Sequence, residues 1–552
     1  MKLVKHTAII AFGTFVVSCS SIHHIAIPKG VNTVVNIPAK TVFTKNQLQS
    51  WSHLDLAKDS IPGMSLAKAY EFLKDKKSVP VIVAVTDSGT DITHVDLKNN
   101  LWTNSKEIVG NGKDDDKNGF IDDVHGWNFL GPTYDETLEI TRLYRALKPK
   151  YDGKTSIDIK KNDSEAYLAF KALEEDYRNS LTDAKKGQEQ YMQYQNMLKE
   201  TDFAMQTLTG KKDYTLEDLE KSKSTFEAMN SKKEIAKRIL QGGSTIAAQI
   251  EELEPAVDYY TSKVNTYYNL EFDGRAALND NAYSMKTKVY GDNNVKDHGD
   301  DEIHGTHVSG IILADRTNDL GVNGVADNAR LMAVRVVPNG DEYDKDVALG
   351  IRYAVDNGAK VINTSFGKGY SPRADWVYDA IKYAAKKDVL IVNAAGNDAQ
   401  NIDEKASYPK DVDDAEEISD NFLTIGAVTR FYNENLLADF TNYGKKSVDI
   451  FAPGHDIYNA IPNNEYKNLS GTSMASPATA GVAALIRSYY PELSASQVKY
   501  IIINSGTLVD LDVLLPGGNG DKVKLSEISK SGRVVNAYNA VKMADAILNT
   551  KK

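Results

Sequence analysis

From Val79 onward the chain alternates short apolar runs with amphipathic stretches. The runs VPVIVAVTD (79–87), LMAVRVV (331–337), AKVINTSF (359–366), DVLIVNAAGN (388–397), FLTIGAV (422–428) and SVDIFAPG (447–454) are rich in Val and Ile. Near-continuous apolar runs of that length belong to strands covered on both faces. Between them, DKDVALGIRYAVDNGA (344–359) and RADWVYDAIKYAAKK (373–387) repeat apolar residues every three or four positions, the period of helices lying on a sheet. The alternation predicts an α/β fold with a doubly wound, mostly parallel sheet. In such sheets reactive groups gather at the carboxyl ends of the strands.

Residues 137–270 break the rhythm. They are dense in Lys, Glu, Gln and Tyr and lack Val/Ile runs, which predicts an inserted all-helical hairpin or bundle, with helices near 164–207, 215–240 and 245–269. Phe170, Tyr177, Ala184, Tyr191 and Leu198 recur every seven residues along one expected seam, which Ser180 and Gly187 interrupt. The insertion divides the larger unit into a first part, 51–136, and a second, 271–552. WSHLDLAKDSIPGMSLAKAYEFLK (51–74) reads as the N-terminal helix of that unit.

Composition adds two constraints. A net charge of −11 over 552 residues favours solubility and argues against nucleic acid as a partner. At the start of the chain, Lys2, Lys5 and His6 precede TAIIAFGTFVV, about ten apolar residues, as in a secretory signal. Cys19 is the only cysteine, so the chain forms no internal disulfide. VVSC resembles a lipobox, which implies a signal peptide over 1–18, a lipid anchor on Cys19 and a tether over 19–50. The expectation is an exported, membrane-anchored lipoprotein facing the periplasm or the cell surface.

LSGTSMASPATAG (469–481) holds three serines ahead of small apolar residues. A serine hydroxyl attacks well only when a neighbouring base takes its proton. DEIHGTHVSGIIL (301–313) offers His304 and His307 on one helical face, with a spacing unlike the zinc-binding H-E-x-x-H pattern. In VIVAVTDSGTDITHVDL (81–97), Asp87 stands at a strand end before a Ser-Gly turn, where a carboxylate can hold an imidazole.

TDSGTDITHVDL, HGTHVSG and GTSMASP together resemble the three catalytic blocks of the subtilisin family of serine proteases, and VINTSFG, NAAGN and FAPG resemble blocks between them. The resemblance covers about 79–130 and 290–550. It implies a subtilisin-like fold and a lipid-anchored endopeptidase in which Ser473 is the nucleophile, His304 the general base, Asp87 the orienting carboxylate and Asn397 the oxyanion donor. His307 and His94 are implied to pack beside the site, Ser470 and Ser476 to support it, and His298 to be a loop residue. NTSFG implies substrate pairing at Ser365, Phe366 and Gly367, and PNGDE implies an opposing edge at Gly340. Ser407 is expected on the floor of a pocket for a medium-to-large apolar residue. Asp341 and Glu342 offer an alternative preference for basic residues nearby, against the plainer expectation of exposed loop acids. Residues 20–78 are short for a folded propeptide of the family.

GNGKDDDKNGFIDD (110–123) spaces Asp114, Asp116, Asn118 and Asp122 around Gly119 like the start of a calcium loop. By resemblance, Asp96 and Asn318 imply a second Ca2+ site. The partners expected are protein or peptide substrates, the membrane through the anchor, and a possible protein partner for the helical insertion. A second reading makes the chain an autoinhibited or scaffold lipoprotein acting through that insertion.

Overall fold

The computed structural model describes residues 31, 33, 34, 37–296, 302–413 and 416–549. Cys19, the leader 1–18, much of the tether and His298 lie outside the described residues.

Nine strands form the central sheet. In chain order they are β1 (Val81–Asp87), β2 (Gly126–Asn128), β3 (Ala329–Arg335), β4 (Val361–Thr364), β5 (Leu390–Ala394), β6 (Phe422–Val428) and β7 (Ile450–Pro453), then, beyond a hairpin of β8 (Ile457–Ile461) and β9 (Glu465–Leu469), β10 (Thr507–Leu508) and β11 (Arg533–Val534). Across the sheet they run β10-β11-β7-β6-β5-β4-β1-β3-β2, and only the β10–β11 edge pair is antiparallel. Every residue of β4, β5 and β6 is buried, which is why these strands read as unbroken apolar runs rather than alternating ones.

Successive side chains of β1 serve different cores: Val83 and Val85 pack into one, Ala84 into the other. The first core is completed by helices α5 (Ile303–Leu313) and α8 (Thr472–Tyr489), the second by α6 (Asp344–Asp356) and α7 (Ala374–Lys386). The segment from Trp51 contributes Leu56, Ile61, Met64 and a helix over Leu66–Leu73 to the first core. The sheet is therefore wound on both faces, as expected.

The insertion is helical and has its own small cores. Helices α1 (Glu139–Tyr151), α2 (Ser164–Thr209), α3 (Glu227–Gln241) and α4 (Ile246–Ser262) build it, with a π-helical turn over Lys263–Tyr267. At 1.5 Å per residue α2 is about 69 Å long, and α1, α3 and α4 all pack on it. Along the expected seam Phe170, Tyr177, Ala184 and Leu198 are buried, while half-buried Tyr191 stacks on Tyr260 at 5.3 Å. Gly187 is required by the same contact, since a Cβ there would lie 2.2 Å from the Tyr260 ring. Two details differ from the sequence reading. The helix expected over 215–240 is broken by residues 222–226, leaving a short turn of helix at Leu216–Lys221 before α3. Helix α1 was not expected; its Tyr144 and Tyr151 bury against α2, and Pro149 sits in its last turn.

Candidate active site

Asp87 ends β1 with its side chain 2% exposed, and its Oδ1 accepts hydrogen bonds from His304 Nδ1 at 2.7 Å and from the Ser88 amide at 2.8 Å. The approach of α5 to the strand end depends on Gly305, where a Cβ would meet the Gly89 carbonyl at 1.9 Å. With Nδ1–H committed to Asp87, the imidazole presents Nε2 as its free base. Burial pulls the His304 pKa down, but the charge of Asp87 and the hydrogen bond to it outweigh burial, so the net shift is upward.

His307 and His94 lie beside this pair. His307 Nε2 donates to the carbonyls of Ile457 (2.9 Å) and Lys467 (3.1 Å), and burial lowers its pKa to about 4, so it stays neutral. His94 Nδ1 accepts from the Asp96 amide at 3.1 Å. Both are structural.

Ser473 occupies the first turn of α8, which packs beside α5. Its hydroxyl donates to the Ser365 carbonyl at 3.0 Å, and Ser365 Oγ donates back to the Ser473 carbonyl at 2.9 Å. Ser476 Oγ reaches Asn363 Oδ1 at 2.9 Å, and Ser470 Oγ accepts from the Asp456 amide at 2.9 Å. Of the three serines, Ser473 alone combines the head of a long buried helix with a facing hollow.

That hollow is defined by Gly471. A Cβ built there would lie 3.5 Å from both Asn397 Nδ2 and the Ser473 backbone nitrogen. The orientation of the Asn397 amide is set by its oxygen, which accepts from Thr472 N (2.8 Å) and Thr472 Oγ1 (2.9 Å). Its NH2 is therefore left to face the hollow, beside an amide at the positive end of α8. Two converging donors of this kind suit a developing oxyanion.

A cavity of about 600 Å³ adjoins Ser473 and Asn397 and is lined by Phe366, Gly367 and Ser407. A Cβ on Gly367 would come within 3.2 Å of Ser407 Oγ, so the two residues form one narrow wall. Among the described residues, the backbone groups of Gly340 and Gly367 have no hydrogen-bond partner within the protein. The outer edge of the 338–342 segment is already used: Asn339 N donates to Tyr134 O and Glu136 N donates to Asn339 O, both at 2.7 Å.

Asp341 and Glu342 are not free loop acids. Asp341 Oδ2 accepts from the Glu139 amide at 2.8 Å, its carbonyl takes Arg142 at 3.0 Å, and Glu342 is 3% exposed. Burial pushes the Glu342 carboxyl up to about 8. At the centre of this group Lys368 Nζ, 2% exposed, reaches Glu139 at 3.0 Å and Asp344 at 2.9 Å, while Arg142 pairs with Glu139 at 2.6 Å. Sequence reading missed this network. Its trace was a lysine directly after NTSFG facing several acids in the 341–346 segment.

Of the expected calcium set, Asp114 and Asp116 come together with Glu107. Oxygens of Glu107, Asp114 and Asp116 lie within 4.8 Å of one another. Asp122 instead caps the loop, accepting from the amides of Gly110, Asn111 and Gly112, and Asn118 Oδ1 accepts from Phe120 N. Asp96 and Asn318 do meet, through a 2.6 Å amide-to-carboxylate hydrogen bond. Asp96 Oδ2 is taken by Tyr466 OH at 2.8 Å and the Val322 amide at 3.3 Å.

A sequence profile described as "Subtilase family" matches residues 79–527. The "Cell wall-associated protease" of Bacillus subtilis (strain 168) is 37% identical over 266 residues, 46% of this chain and 28% of that protein. The "Thermophilic serine proteinase" of Bacillus sp. (strain AK1) is 42% identical over 187 residues, 34% of this chain and 42% of that protein. The match thus spans less than half of either relative. "Subtilisin DY" of Bacillus licheniformis is 37% identical over 206 residues, 37% of this chain and 70% of that protein. A solved protease structure from Pseudoalteromonas arctica is 27% identical, covers 46% of this chain and 78% of that one, and has a TM-score of 0.37.

Proposed function

The chain belongs to the subtilase family, and on that premise we propose that it is a serine endopeptidase that hydrolyses peptide bonds through an acyl-enzyme. Ser473 Oγ attacks the carbonyl carbon while His304 Nε2 takes its proton; the same proton passes to the leaving amine, and a water repeats the sequence to release the acid. Asp87 holds the tautomer and stabilises the imidazolium. Asn397 Nδ2 and the Ser473 amide receive the oxyanion. The observation that carries this reading is the 2.7 Å Asp87–His304 contact, because it makes Nε2 the base.

The substrate main chain runs between Gly340 and Gly367, which gives affinity with little sequence demand. The pocket at Gly367 and Ser407 takes a medium-to-large apolar side chain before the scissile bond. Glu107, Asp114 and Asp116 would hold calcium, a hard cation suited to crowded carboxylates, with a structural role. Export, cleavage before Cys19 and lipid anchoring there complete the proposal; Cys19→Ala is expected to release the protein from membranes.

Casein hydrolysis by the full chain with calcium present, against Ser473→Ala, tests the reading. Hydrolysis lost in the variant supports it. Absence of hydrolysis in both folded proteins favours the alternative, a scaffold lipoprotein acting through its helical insertion.

A further inference from the structure

The cavity beside Ser473 does not belong to the sheet unit alone. Part of its wall comes from the insertion: Leu138 and Ile140 at the root of α1, Asp176 and Ser180 on α2, and Tyr268 on the returning limb. We propose that the helical insertion forms the end wall of the substrate cleft and is a specificity element for residues about four positions before the scissile bond. The inference rests on the protease reading and names the subsite that reading leaves open.

Three observations carry it. First, the insertion is fastened to both rims of the cleft. On the 338–342 rim, Glu139 N and Arg142 bind Asp341; on the opposite rim, Lys368 binds Glu139, and Tyr370 OH donates to Asp176 at 2.9 Å. A surface insertion with no role in the cleft would have no reason to tie both sides of it together. Second, the fastening lies within a few residues' reach of the chemistry. Ser473 Oγ contacts Ser365, and Tyr370 is five residues further along, at most about 17 Å away at 3.3–3.4 Å per extended residue. An extended peptide paired along this rim reaches the fastening with no more than about five residues. Third, the volume is compatible: about 600 Å³ lies in the ordinary range of ligand-binding clefts, roughly 300–1,000 Å³.

The chemistry of the wall sets its taste. Leu138 and Ile140 are apolar, and Ser180, a small residue on the same wall, hydrogen-bonds with the Tyr268 side chain. The subsite accepts an aliphatic or aromatic side chain, and its depth depends on Ser180 staying small.

The test compares the full-length enzyme with Ser180→Trp, using two substrates with the same leaving group: a single-residue chromogenic ester and a tetrapeptide with Leu at its first position. The expected result is at least a tenfold fall in the ratio of kcat/KM for the tetrapeptide over the ester, carried by KM. A ratio unchanged within twofold, whether both rates fall together or neither does, overturns the inference. Because a bulky residue can disturb α2, Asp176→Asn and Tyr370→Phe form a second arm: each loosens the wall without adding bulk and is expected to broaden preference at the fourth upstream residue in a peptide library. An unaltered profile in both counts against the wall. Loss of all hydrolysis by the unsubstituted enzyme would instead overturn the protease reading, and the inference with it.

Discussion

The hydroxyl of Ser473 donates to the carbonyl of Ser365 at 3.0 Å, and among the described residues no hydrogen bond joins it to His304. The resting nucleophile is parked against the rim where substrate is proposed to pair. A peptide pairing with that rim would compete for the same carbonyl and free the hydroxyl for the proposed base, His304. Loose nucleophile geometry before substrate binds is common in such sites.

The hollow at Gly471 makes the oxyanion donors testable separately from the nucleophile. Asn397→Ala is expected to lower kcat by about a hundred- to thousandfold with KM nearly unchanged, the usual consequence of losing one such donor. Gly471→Ala is expected to do similar damage, because its methyl would sit 3.5 Å from both donors and occupy the oxyanion's place. Steady-state kinetics on a peptide anilide check both; full turnover in either variant removes the assignment.

Acid should silence the enzyme through His304. Its pKa is raised above the ordinary imidazole value of about 6.5, because the attraction and hydrogen bond of Asp87 exceed the opposing effect of burial. Only the neutral imidazole accepts the serine proton, so kcat/KM is expected to fall on acidification with a midpoint above that value. The contribution of the pair to stability runs the other way. It is complete below the unfolded imidazole's pKa and is lost as pH rises through the folded one. Asp87→Asn is expected to reduce kcat by about 10⁴. A pH–rate profile with a midpoint below about 6.5 would contradict the assignment of His304 as base.

The buried charges under the insertion should be costly to break. Lys368, Glu139 and Asp344 are 2%, 1% and 6% exposed at their side chains. Lys368→Met leaves Asp344 without this partner and Glu139 with Arg142 alone, and removing one member of a buried pair costs about 3–5 kcal/mol. Urea unfolding at neutral pH is expected to show a loss of that order. A loss below about 1 kcal/mol, the scale of an exposed pair, would mean water reaches the network.

Calcium should stabilise without taking part in chemistry. Removing it with a chelator is expected to lower the midpoint of thermal unfolding. A hundredfold excess over its dissociation constant would restore about 2.7 kcal/mol. Glu107→Gln should blunt that response, while Asn318→Ala should leave it intact. The reverse pattern would place the ion at Asp96.

The sheet, the Asp87–His304 contact and the placing of Ser473 and Asn397 at one cavity were legible because each is announced by a local change of pattern: Asp87 where a strand meets Ser-Gly, His304 where a Gly-containing helix begins, Ser473 where small residues open a buried helix. Seam positions in α2 were legible from their period, and Gly187, an interruption by that period, is explained by Tyr260 in a different helix. The unread parts depend on residues far apart in the chain. Lys368 and Glu139 are 229 positions apart, and nothing local to either says that they meet. In the acidic loop, spacing alone suggested that Asp122 shares a cation, whereas the turn of the backbone gives its oxygens three amides. Glu107 stands outside the spaced motif and comes near Asp114 and Asp116 only through folding.

Whether Ser473 is the activated nucleophile is decided by treating the full-length protein with a fluorophosphonate and mapping the adduct by mass spectrometry. Stoichiometric modification at Ser473 is expected, slowed in Asp87→Asn and abolished in Ser473→Ala. An adduct at Ser365, Ser470 or Ser476, or none on folded protein, would refute the assignment.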